Sequence, residues 1–134
     1  MMELNVKTLE KLRNIINGDQ SKDRAHYRSG SQLVEFFNKL GFNDHYPYGG
    51  GFPSRWVYTD EKLRIINGTN KLEECIKATF SVIDYVDRIE ELDDLIKDFN
   101  QYLVFDKWSL ARDNDRILFK RLDKVVIESK NDLD

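Results

Sequence analysis

Residues 87–103, Asp-Arg-Ile-Glu-Glu-Leu-Asp-Asp-Leu-Ile-Lys-Asp-Phe-Asn-Gln-Tyr-Leu, set Ile89, Leu92, Ile96, Phe99 and Leu103 at 3-4-3-4 spacing. Such intervals return to the same side of a 3.6-residue turn, so the stretch predicts an amphipathic helix with one buried stripe. Asp87-x-x-Glu90 reads as the capping box that opens it. The outer side is acidic, with Asp87, Glu90, Glu91, Asp93, Asp94 and Asp98 against Arg88 and Lys97. Just downstream the period falls to two. Trp108 and Leu110 share a face, as do Ile117 and Phe119, with the turn residues Asp113-Asn114-Asp115 between them. This predicts a β-hairpin. Val125-Val126-Ile127 is expected to add a short third strand, and residues 129–134 to form a frayed tail.

Upstream, Val6, Leu9, Leu12 and Ile15/Ile16 predict a helix over 5–17 that ends at Asn17-Gly18. Residues 19–28 are polar and aperiodic, an internal loop. Ser29-x-x-Gln32 is a capping box for a second helix, with Leu33, Phe36, Phe37 and Leu40 on one side and a stop at Gly41. Pro53-Ser54 starts a third helix and Asn67-Gly68 ends it, with Trp56, Val57, Leu63 and Ile66 expected inside. Asn70-x-x-Glu73 opens a fourth, burying Leu72, Cys75, Ile76 and Phe80. The sum is a single, mainly α (α+β) domain over residues 1–134. About five helices are closed by a C-terminal β-hairpin, an outline like that of a winged helix.

Composition bounds the function. The chain is 40% hydrophobic and 34% charged, as expected of a folded domain rather than a disordered one. No apolar run approaches the roughly 20 residues of a membrane span, and the N-terminus lacks the apolar stretch of a secretory signal. A single cysteine, Cys75, excludes an internal disulfide framework, and a cytoplasmic location is expected. The net charge of −3 does not suit a phosphate-backbone binder as a whole. Residues 107–124 are locally basic, so nucleic-acid contact through Arg112, Arg116 and Lys120 is one alternative. A winged-helix reader, however, would push the acidic helix 87–103 into the groove, which phosphates oppose.

The richest stretch for function is residues 42–58. It holds six aromatic residues (Phe42, Tyr46, Tyr48, Phe52, Trp56 and Tyr58), both prolines and three of the seven glycines. Proline fixes φ and glycine opens unusual backbone angles, so the path of this loop is specified by its sequence. The aromatic and arginine side chains are of the types that anchor protein partners or stack on bases. Arg28, Tyr46, Tyr48, Arg55, Trp56 and Tyr58 are the candidate ligand- or partner-binding residues, to be weighed against a small satellite core under a long loop. The triple glycine before a helix lacks Gly-Lys-Ser/Thr and a preceding strand, so it is no phosphate loop.

Catalytic signals are sparse. His26 and His45, with one distant cysteine, are too few for a zinc site, and neither a metal nor a cofactor is expected. His45 beside Asp44, or Glu128-x-Lys130 after the apolar run 125–127, sketches a small hydrolase or metal-dependent nuclease without its remaining partners.

Three phrases together resemble a known family. They are Arg-Ser-Gly-Ser-Gln-Leu-Val-Glu-Phe-Phe-Asn-Lys-Leu-Gly-Phe (28–42), Gly-Phe-Pro-Ser-Arg-Trp-Val-Tyr-Thr-Asp-Glu-Lys-Leu (51–63) with Asn-Gly-Thr (67–69), and Asp-Phe-Asn-Gln-Tyr-Leu-Val-Phe-Asp-Lys-Trp (98–108). They are similar to the amino-terminal module of bacterial abortive-infection (AbiJ-like) antiphage proteins, over roughly residues 28–121. The resemblance implies sensing, docking or regulation rather than catalysis, with a covalently linked effector domain or another protein as partner. The sequence departs from that pattern by stopping at Asp134, which leaves two expectations, an excised front module or a family role that does not carry over whole.

Overall fold

The computed structural model describes residues 1–20 and 24–122. The expected third strand at 125–127, the frayed tail and Glu128 lie outside the described residues. The chain divides into two compact units, Met1–Thr79 and Phe80–Asp134.

The first unit holds four helices: α1 (Val6–Asn17), α2 (Gly30–Asn38), α3 (Arg55–Ile66) and α4 (Asn70–Thr79). Asn5 starts α1, its side chain accepting from the amides of Lys7 and Thr8. Gly18 ends it in the left-handed region at φ 73°. There the Gly18 amide reaches Ile15 O and the Asp19 amide reaches Asn14 O, so carbonyls left over at the helix end are satisfied. The Ser29–Gln32 capping box forms with both of its bonds. α4 begins at Asn70 as expected, but its capping hydroxyl belongs to Thr69, which accepts from the Lys71 amide.

α1 packs on α3 and α4, and α3 also on α2. Arg13 meets Asp60 and Leu4 meets Asn67, so α1 and α3 run antiparallel. Leu12, Ile16, Leu33, Phe37, Leu63, Leu72 and Ile76 are wholly buried and form this core. Each such side chain contributes about 1.5–3 kcal/mol of transfer free energy.

The second unit is built on α5 (Ile89–Leu103) and a two-stranded antiparallel sheet, β1 (Trp108–Asp113) with β2 (Arg116–Arg121). Four residues of the predicted stripe, Leu92, Ile96, Phe99 and Leu103, are buried, and Ile89 in the first turn is half-buried. The Asp87 cap is not formed. Arg88 occupies the N-cap without a side-chain cap bond and instead pairs with Glu91 at 3.1 Å across the first turn. Phe80 is buried as expected but lies just past α4, where its ring meets Phe99 at 5.4 Å. In the hairpin Leu110 faces Phe119 and Arg112 faces Ile117. Asn114 takes the left-handed turn position, which its short amide side chain tolerates.

One device recurs three times. Asn38 brackets Asp44, Asn67 brackets Leu4 and Asn100 brackets Leu110. Each amide side chain donates to the carbonyl and accepts from the N–H of a single residue, at 2.8–3.0 Å. Each asparagine sits in or just after the last turn of its helix and fastens a neighbouring segment as a short strand would. The Asn100 bracket also covers β1 at Leu110, an edge that would otherwise expose unpaired backbone groups.

Candidate functional site

The loop between α2 and α3 is fixed at its base by Asp44. Its backbone is bracketed by Asn38, and its carboxylate accepts from Lys62 Nζ at 2.6 Å and from the Tyr58 hydroxyl at 2.7 Å. Lys62 and Tyr58 hold the Asp44 carboxyl below the usual carboxylate range, against a smaller opposing effect of burial. Burial, then the Asp44 carboxylate, pushes the Tyr58 hydroxyl well above its ordinary value. Lys62 is buried on the inner side of α3, its ammonium 4.6 Å from the Phe42 ring and 5.0 Å from that of Tyr58. A buried lysine is tolerable only when paired, and Asp44 is its pair.

From this base the rings form a series. Tyr48 meets Tyr46 at 4.8 Å, Tyr46 meets Phe52 at 4.9 Å, Phe52 meets Tyr58 at 4.9 Å and Tyr58 meets Phe37 at 6.0 Å. Such edge-on and tilted contacts are favourable beyond the area they bury. Exposure falls along the series from 85% at Tyr48 to none at Phe37. Gly30, the first residue of α2, lets the series pass, because a Cβ there would lie 2.7 Å from the Tyr46 ring and 3.0 Å from that of Phe52. At the far end the Gly50 amide closes a turn onto Pro47 O at 2.9 Å and leaves Tyr48 at the tip.

Arg28 and Arg55 have a different task. Arg55 Nε donates to Arg28 O at 2.8 Å, Nη2 to Asn17 O at 2.6 Å and Nη1 to Asp19 Oδ1 at 3.1 Å, while its guanidinium lies 4.0 Å from the Tyr27 ring. Arg28 Nη1 donates to Ile16 O at 2.6 Å, with its guanidinium over Phe36. Both arginines close the end of α1, where backbone carbonyls have lost their helical donors. Beneath them the buried Thr59 hydroxyl donates to Asn17 Oδ1 at 2.7 Å.

Trp56 corrects an expectation. It is 56% exposed, whereas the inner face of α3 is Tyr58, Thr59, Lys62, Leu63 and Ile66. Two residues are about 200° on a helix, so burying Tyr58 turns Trp56 to the opposite side. There it lies 5.9 Å from Arg13, which is paired with Asp60. The candidate residues therefore separate into a ring series with Tyr46, Tyr48 and the buried Tyr58, a clamp of Arg28 and Arg55, and Trp56 on the α1 side of α3.

The basic hairpin is also partly committed. Arg112 donates from Nε and Nη2 to the two carboxylate oxygens of Asp93 at 2.7 and 2.9 Å, and from Nη1 to Asn114 O. This fork lowers the Asp93 carboxyl and raises the Arg112 guanidinium. Arg116 and Lys120 are exposed, Arg116 lying 3.8 Å from Asp113. His45 is exposed, beside an aspartate whose carboxylate already serves Tyr58 and Lys62. Cys75 is fully buried and its thiol is pushed up to about 12 by burial, so it is no nucleophile. Among the described residues no cluster of three His, Cys, Asp or Glu side chains could hold a metal ion, and no helix is long and apolar enough to cross a membrane.

The bracketing role of the three asparagines and the inward turn of Lys62 are not legible in the sequence. An asparagine close to a helix end was the available signal for the first group, and Lys62 gave none because its partner lies eighteen residues upstream in the loop. Compared with protein-family models, with curated proteins and with solved structures, the chain finds no match in any of the three.

Proposed function

We propose that this chain is a non-catalytic recognition module of a bacterial phage-defence protein, of the abortive-infection type its phrases resemble, and that it binds a protein partner through the tip of the α2–α3 loop. The observation that carries this reading is Tyr48: an aromatic ring 85% exposed at a turn whose base is fastened by Asn38, Tyr58 and Lys62 through Asp44. A large ring held out on a braced loop loses little conformational freedom when it docks, which favours tight contact. Arg28, Arg55 and Tyr58 act behind the tip, as the structure that presents it.

Phage-challenge plating of cells carrying Tyr48→Ala tests the reading. Protection is lost while the melting temperature of the purified variant stays within a degree or two, since an exposed side chain carries little stability. Undiminished protection by the Tyr48→Ala variant would overturn the proposal. A nucleic-acid role gains little support, because Asp93 occupies Arg112 and Arg116 lies beside Asp113.

A further inference from the structure

We draw no further inference here: the strongest candidate, the shallow groove along the α1–α3 seam where Val6 and Leu9 lie between the charged side chains of Glu10, Asp60 and Arg64, is a partly apolar surface and nothing in the structure shows what covers it.

Discussion

Replacing Arg55 tests the division between clamp and contact surface. In Arg55→Ala three acceptors lose the guanidinium together: Arg28 O, the Asp19 carboxylate and Asn17 O, the last of which keeps the Arg28 amide at 3.2 Å. Hydrogen bonds from a charged donor are worth about 1.5–3 kcal/mol each, and the exposed Asp19 pair adds about 0–1. The guanidinium is about a quarter exposed, so water replaces part of the loss. A net destabilisation of about 2–4 kcal/mol follows, because bonds shared by one side chain do not add in full. Arg55→Lys recovers only a minor part, since a single ammonium cannot span two carbonyls and a carboxylate as the planar fork does. The assay is urea unfolding followed by circular dichroism, with the emission of Trp56 reporting on the first unit in a Trp108→Phe background. Two compact units need not melt together, so the probe must belong to the unit that is perturbed. A loss below about 1 kcal/mol with an unchanged slope would refute the clamp and return Arg55 to the list of contact residues.

Three further outcomes follow from the same geometry. Trp56→Ala costs less than about 1 kcal/mol in thermal unfolding, against about 3–5 for a core tryptophan, and a loss in the larger range would mean that the ring is not on the surface. Gly30→Ala sets a gain in helix propensity of roughly 0.5–1 kcal/mol against about 1–3 of overpacking on Tyr46 and Phe52. The clash wins, so the melting temperature falls and the near-ultraviolet dichroism of the rings changes; a more stable variant would show that the rings yield freely. The third outcome concerns acid. Asp44 has a folded pKa below its ordinary 3.8, so its contribution is complete above that value and is lost as pH falls through the folded one. Asp44→Asn is accordingly less stable near neutrality and loses less on acidification, which unfolding curves across the acid range would show; parallel pH profiles for the two proteins would contradict the Lys62–Asp44 pairing.

The helices were legible where a single period dominates. The α5 stripe and the end of α1 at Gly18 needed nothing beyond spacing and a left-handed glycine. The hairpin was legible for the same reason, since its alternation begins just after the helical period stops. α3 was harder, because its inner face carries Thr59 and Lys62 while Trp56 and Ile65 look outward. Apolar content alone then assigns the wrong phase. Lys62 can turn inward only because Asp44, in a separate loop, neutralises it, and no window along the helix contains that partner. The two missing caps have a related cause. Whether a side chain caps a helix depends on the path of the chain before it, and Thr69 and Arg88 hold positions that a three-residue spacing cannot distinguish from their neighbours.

The same physics sorts the loop residues by role. A guanidinium near a helix C-terminus finds carbonyls without donors, so Arg28 and Arg55 are drawn to Ile16 O and Asn17 O rather than left for a ligand. A tyrosine hydroxyl beside a carboxylate is held in the same way, and Tyr58 turns inward to Asp44. Among the described residues no such bond is seen for Tyr48: its ring meets Tyr46, and the glycines after it crowd nothing. Side chains with strong directional bonds are thus taken up in building the loop, and the Tyr48 ring remains exposed. On the proposed reading the aromatic loop is a satellite core that also presents a contact surface. Phe37 and Tyr58 make the core, Tyr48 the surface, and Tyr46 with Phe52 transmits the rigidity of one to the other.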